Sequence, residues 1–233
     1  MAESPALIQI LRSSDFARGG PGNVEGRRRP PDERCEFCGA DMPAEHGHVV
    51  DLPRRSILCV CRPCYLLFTH GGAGGARFRA VPDRYARLPE FADARPEWEG
   101  LDIPIGLAFF FRNSGTNRVH AFYPSPAGAT ESELALESWE ALAHAVPGLA
   151  ALAPDVEALL VRRTNAGVDA MIAPIDACYE LVGRVRLGWR GLNGGDEMWQ
   201  DVDSFFARAA ERAHDEPAPL DAPRAGLDAS RRA

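Results

Sequence analysis

"CEFCGADMPAEHGHVVDLPRRSILCVCRPC", residues 35–64, carries five of the chain's six cysteines and two of its six histidines. A tetrahedral ion needs four ligands, and this stretch offers competing pairs. Cys35 and Cys38 stand two residues apart and are followed by Gly39. A glycine there suits a tight metal knuckle, because backbone N–H groups can point at the sulfurs with no Cβ in the way. Downstream, Cys61 and Cys64 form a second C-x2-C pair separated from Cys38 by 22 residues, slightly beyond the usual gap of about 15–20. Cys59 with Cys61 brings the gap to 20 residues but makes a C-x-C pair.

The flanking segments favour the first pairing. "HVVDL" and "SILCV" read as two strands joined through "PRR", and "RPCYLLF" reads as a helix start with Pro63 in its first turn. Cys61 and Cys64 then bracket a strand-to-helix corner, where the helix N-terminus favours thiolate. The expected ligands are Cys35, Cys38, Cys61 and Cys64, in a knuckle–hairpin–helix layout similar to a treble clef or zinc ribbon. Cys59, two residues before Cys61, is expected on the same strand face and is a spare ligand. His46 and His48, just before the first strand, are further substitutes, or bond locally on a loop. A closed four-sulfur shell leaves no place for substrate, so the metal is expected to be structural zinc, with iron, as in rubredoxins, the second choice. A lobe of roughly forty residues has too small a core to stand without it.

Working outward, residues 1–30 read as a mobile Gly/Pro/Arg-rich arm and 31–70 as the finger. "GGAGGA" opens a linker over 71–100 that contains a short helix. Residues 101–212 form the body, and 213–233 a proline-rich disordered tail. In the body, "IGLAFFFRN" and "NRVHAFYP" form a hairpin across "SGT". "TESELALESWEALAHAVP" follows as a helix, with Thr130 as its cap and Glu133 in capping-box register. "VEALLVRRT" and "VDAMIAPI" form a second hairpin. They lead into the helix "DACYELVGRVRLGW", capped by Asp176, and the closing helix "DEMWQDVDSFFARAAERA". Two strand–strand–helix units predict an α+β fold, an antiparallel sheet with helices on one face.

Composition limits function. The chain has no lysine, so all 26 basic residues are arginine, and Schiff-base or phosphate-loop lysine chemistry is excluded. Residues 27–87 hold eleven Arg against seven acids, net +4, and residues 88–233 hold thirteen against twenty-three, net −10. That basic excess is far below what nucleic-acid binders show, so Arg54, Arg55 and Arg62 are expected to be a solvated surface. The longest uncharged apolar run, Ile103–Phe111, is about half of the ~20 residues of a membrane span. The N-terminus carries no convincing secretory signal, and a reducing, cytoplasmic setting is expected, where clustered cysteines bind metal. Cys178, amid apolar neighbours, is a core residue. Cys59, if not a ligand, is a buried small hydrophobe or a redox-sensitive thiol. Trp189 and Trp199 flank a glycine-rich loop that reads as a partner-binding edge or as helix packing. With no triad, phosphate loop or paired-carboxylate signature, no enzyme activity is expected.

The phrases "CEFCGADMPAEHGHVVDLPRRSILCVCRPCYLLF", "IPIGLAFFF", "AFYPSPAGATES" and "IDACYELVGRVRLGWRGLNGG" together resemble an uncharacterised, mainly actinobacterial family of unknown function, over about residues 30–210. Genes of that family tend to neighbour those of nickel–iron hydrogenases. The resemblance implies an accessory or assembly protein that binds a protein partner, with hydrogenase subunits or maturation factors as the implied candidates.

Overall fold

The computed structural model describes residues 34–70, 73–101, 103, 106–132, 136–165, 167–191 and 194–215. The arm expected over 1–30, and the tail beyond 215, lie outside the described residues.

The cysteine segment folds as the flanks predict. Strands β1 (Gly47–Asp51) and β2 (Ser56–Val60) form a hairpin, and the short helix α1 (Arg62–Leu66) follows with Pro63 near its start. The segment expected as linker contributes more than a connection. Its β3 (Phe78–Ala80) pairs antiparallel with β1 to give the order β2–β1–β3, and its β4 (Ala86–Arg87) belongs to the larger sheet. Asp51, at the end of β1, is 1% exposed, and Arg77 holds it by donating from Nη2 to Oδ2 at 2.6 Å and from Nε to Oδ1 at 3.2 Å.

The Asp51 carboxyl is held below its usual range, chiefly by the Arg77 hydrogen bonds, which outweigh burial. Its contribution is therefore complete above the ordinary aspartate range and is lost as the pH falls through the lowered value. Asp51→Asn is expected to destabilise the protein by about 1.5–3 kcal/mol at neutral pH. It should also flatten the acid limb of stability, as read from denaturant midpoints across a pH series.

The body is built on a seven-stranded sheet, β10–β4–β9–β8–β5–β6–β7. Its strands β5 (Leu107–Asn113), β6 (Arg118–Ser125), β7 (Gly128–Ser132), β8 (Glu157–Thr164) and β9 (Gly167–Pro174) all pair antiparallel. Among the described residues, only the edge strand β10 (His214–Asp215) runs parallel to its neighbour, β4. The helices are α2 (Arg95–Glu99), α3 (Leu136–Ala145), α4 (Ile175–Gly188) and α5 (Asp196–Arg212). The class is α+β.

Three local expectations change. The sheet is covered on both faces, not one. Leu107, Phe109, Leu160 and Ala173 pack under α4 and α5, while Ala108, Phe110, Leu159 and Ile172 pack against Trp98, Leu142 and Phe91. The uninterrupted run "LAFFF" is the cause, since alternate residues of a strand point to opposite faces and here both sets are apolar. Thr130 is not a helix cap; it lies in β7 opposite Tyr123, and its hydroxyl donates to Ser125 Oγ at 3.0 Å. A β-branched residue beside a tight turn follows the strand ladder. Asp176 is not a cap either, because Pro174 holds that position and Asp176 sits in the first turn of α4.

The finger packs on the body through one face of its hairpin. Val50 is buried with the α4–α5 side of the sheet, and Ile57, its partner across the hairpin, lies against the same cluster. Val49 and Val60 face the other way, into a small cluster with Met42, Cys35, Cys61 and Cys64. Among the described residues no helix is long and apolar enough to cross a membrane.

Candidate metal centre

The first knuckle is a turn closed by its own backbone. Gly39 N donates to the Cys35 carbonyl at 2.8 Å, and Cys35 N to the Ala40 carbonyl at 2.8 Å. Gly39 has φ +73°, a left-handed conformation that carries little cost without a side chain. Glu36 fastens this turn to β2: its N donates to the Cys59 carbonyl at 3.0 Å, and its Oε2 accepts from Cys59 N at 2.5 Å. The second knuckle is the β2–α1 corner. Cys61 caps α1 in extended backbone, with φ −67° and ψ 158°, and Cys64 follows in the first turn. Gly47 allows α1 to approach, since a Cβ there would lie 2.6 Å from the Tyr65 ring.

These corners bring the four predicted sulfurs together. The Sγ atoms of Cys35, Cys38, Cys61 and Cys64 all lie within 4.8 Å of one another, and Cys38 and Cys61 are 3.6 Å apart. A tetrahedron of sulfurs around zinc, at about 2.3 Å from the ion, has edges of about 3.8 Å. All four are free thiols; Cys35, Cys61 and Cys64 are buried, and Cys38 is exposed. The donor set fits a tetrahedral thiophilic ion, and the cluster can hold one.

Electrostatics lead to the same place. Burial pushes the Cys35 thiol up, but the backbone amides of Cys61, Cys38 and Phe37 outweigh it and bring its pKa down to about 6. Burial and the neighbouring sulfurs instead raise Cys64. Cys61 is raised too, although the Cys64 amide works in the opposite direction. Like charges this close cannot all form unaided, and a bound cation lets all four thiols ionise.

The proposed substitutes lie elsewhere. His48 stands directly opposite Cys59 in the β1–β2 register. His46, His48 and Cys59 form a separate group whose ligand atoms lie within 4.8 Å of one another. This group lies on the hairpin face that carries Val50 and Ile57, toward the body. Cys59 does not share a face with Cys61 because β2 ends at Val60, and alternation does not carry through the helix cap. His48 Nδ1 donates to Asp176 Oδ2 at 2.6 Å, so the finger and α4 are joined here.

Burial works against protonated His48, but Asp176 and then Cys59 outweigh it and raise its pKa to about 10. Cys59 raises His46 as well. The Cys59 thiol is lowered by the two imidazoles against the opposing effect of burial. Sequence reasoning missed Asp176 as the His48 partner. The two residues are 128 positions apart, and no local pattern links them. Cys178 is fully buried, as expected.

A family model described as a family of unknown function (DUF5947) matches residues 34–213. No curated protein and no solved structure matches the chain.

Proposed function

The chain belongs to DUF5947, a family of unknown function, and from that premise we propose a non-catalytic accessory protein. In it a structural zinc holds the treble-clef-like finger against the body, and the finger docks a protein partner in the cytoplasm. The observation that carries this reading is the closed shell of four sulfurs, which leaves no position for a substrate.

A patch on the finger supports the docking role. Phe37 is 37% exposed, Leu66 50% and Leu67 62%, and these are three of the four large apolar side chains exposed among the described residues. Phe37 also stacks on Phe68 at 5.0 Å and meets Phe78 edge-on at 4.9 Å, so the exposed ring is held on an aromatic base. Exposed apolar side chains concentrated on one small lobe are the kind of surface that a protein partner covers. The nickel–iron hydrogenase, or its maturation machinery, enters as the partner through the gene-neighbourhood association alone.

Pull-down of hydrogenase subunits and maturation factors with the zinc-loaded chain is the test. Leu66→Asp with Leu67→Asp is expected to weaken capture at least 30-fold, equivalent to about 2 kcal/mol, while zinc content stays at one per chain. Equal capture by wild type and the double variant removes the finger from the interface. Purification without added metal settles the ion: a colourless protein with one zinc agrees with the proposal, and a red iron protein would replace it with a rubredoxin-like redox role.

A further inference from the structure

The second cluster has no part in the role proposed above, yet its groups converge as ligands do. His46 Nδ1 lies 3.2 Å from the Pro43 carbonyl, which can only accept, so Nδ1 carries the proton. That leaves Nε2 as the lone-pair nitrogen, and it is buried without a hydrogen-bond partner in the structure. His48 likewise gives its Nδ1 proton to Asp176, and an incoming ion would displace the second proton that its raised pKa leaves on Nε2, in the carboxylate–histidine manner of metal sites. Cys59 supplies a sulfur within 4.8 Å of both histidines' ligand atoms.

A cleft of about 910 Å³ opens beside these residues, lined by His46, His48, Tyr65, Asp176, Glu180 and Arg212 among others. A nucleophile–base–acid reading would use Cys59, His48 and Asp176 but would give His46 no task. A metal ion uses all four.

We propose that His46 Nε2, His48 Nε2 and Cys59 Sγ form a second metal site, separate from the four-cysteine centre, which binds an exchangeable divalent transition ion with its fourth position open to the cleft. Two imidazoles and one thiolate suit ions of borderline softness, such as zinc, cobalt or nickel. Three protein ligands with one open position distinguish exchangeable or reactive sites from closed structural ones. Because β1, β2 and the turn just before β1 supply the ligands and α4 supplies Asp176, ion binding at this site also ties finger to body.

Cobalt(II) titration of the full-length chain carrying a single equivalent of zinc, which fills the closed four-sulfur centre first, tests this, read by visible d–d absorption and by elemental analysis. Wild type is expected to keep one zinc and to take up one cobalt with tetrahedral-intensity bands. Cobalt should also protect Cys59 from alkylation, followed by peptide mass spectrometry. Cys59→Ser and His46→Ala should each keep the zinc and bind cobalt at least 100-fold more weakly, and Asp176→Asn about 10–100-fold more weakly. His46→Ala is the milder variant for folding, because its Nδ1 bonds a loop carbonyl, that of Pro43, and not a side chain of the body.

Absence of cobalt uptake by wild type, or unchanged uptake by folded His46→Ala and Cys59→Ser, overturns the site. If instead the four-cysteine centre holds no zinc while cobalt still binds and is lost in Cys59→Ser, this inference stands and the structural-zinc reading falls.

Discussion

Cys61→Ser is expected to release the structural ion and to unfold the finger while the body keeps its sheet. The finger's own core is six buried residues, three of them the ligands Cys35, Cys61 and Cys64, with Met42, Val49 and Val60 completing it. Three apolar residues are too small a core to order some forty residues, so a bound ion would be the finger's main source of stability. Cys61 is the choice because it is a buried candidate ligand at the β2–α1 corner, and serine, a good N-cap, keeps the helix start while removing the sulfur.

Amide hydrogen exchange would resolve the effect by segment. Amides of β1, β2, β3 and α1 should lose their protection in Cys61→Ser, or in wild type after chelation, while β5, β8 and β9 stay protected. Loss of the finger also uncovers Val50 and Ile57 from the body's core, so the body should melt earlier. Unchanged protection over residues 47–66 in metal-free protein would remove the metal from the folding account.

The second large effect is predicted at Arg84 and Glu157, where the segment between the sheets meets the start of β8. Glu157 is 1% exposed, and its carboxylate accepts from Arg84 Nε and Nη2 and from Ala153 N, each at 2.8 Å. Arg84 Nη2 also donates to the Ala151 carbonyl at 2.9 Å. Arg84→Ala strands a buried carboxylate and should cost about 3–5 kcal/mol in denaturant unfolding of the metal-loaded chain. Glu157→Gln should cost less, about 1–3 kcal/mol, because the Arg84 side chain is 34% exposed and can turn to water. If Arg84→Ala proves the milder of the two, the pair does not anchor this junction.

Local chemistry reached the site from the sequence, but not its surroundings. The two C-x2-C pairs, Gly39 and the Pro63 helix start were legible because each knuckle is made by neighbours in the chain. The hairpin across "SGT" and the one joining "VEALLVRRT" to "VDAMIAPI" were legible as apolar runs separated by short turns. Thr130 misled because a capping-box pattern is a local signal, and pairing with β6 overrode it. The second sheet face was implicit in "LAFFF", but the side chains that cover it, Trp98 and Leu142, come from two separate helices.

Spacing along the chain determined the four-sulfur centre and the α+β class, since knuckles, turns and strand alternation act over a few residues. Tertiary packing decided that Cys59 leaves that centre for His46 and His48. It also brought Asp176 to His48 from 128 residues away. The reason is geometric: a hairpin has two faces, and which residues meet its outer one depends on how the body closes against it.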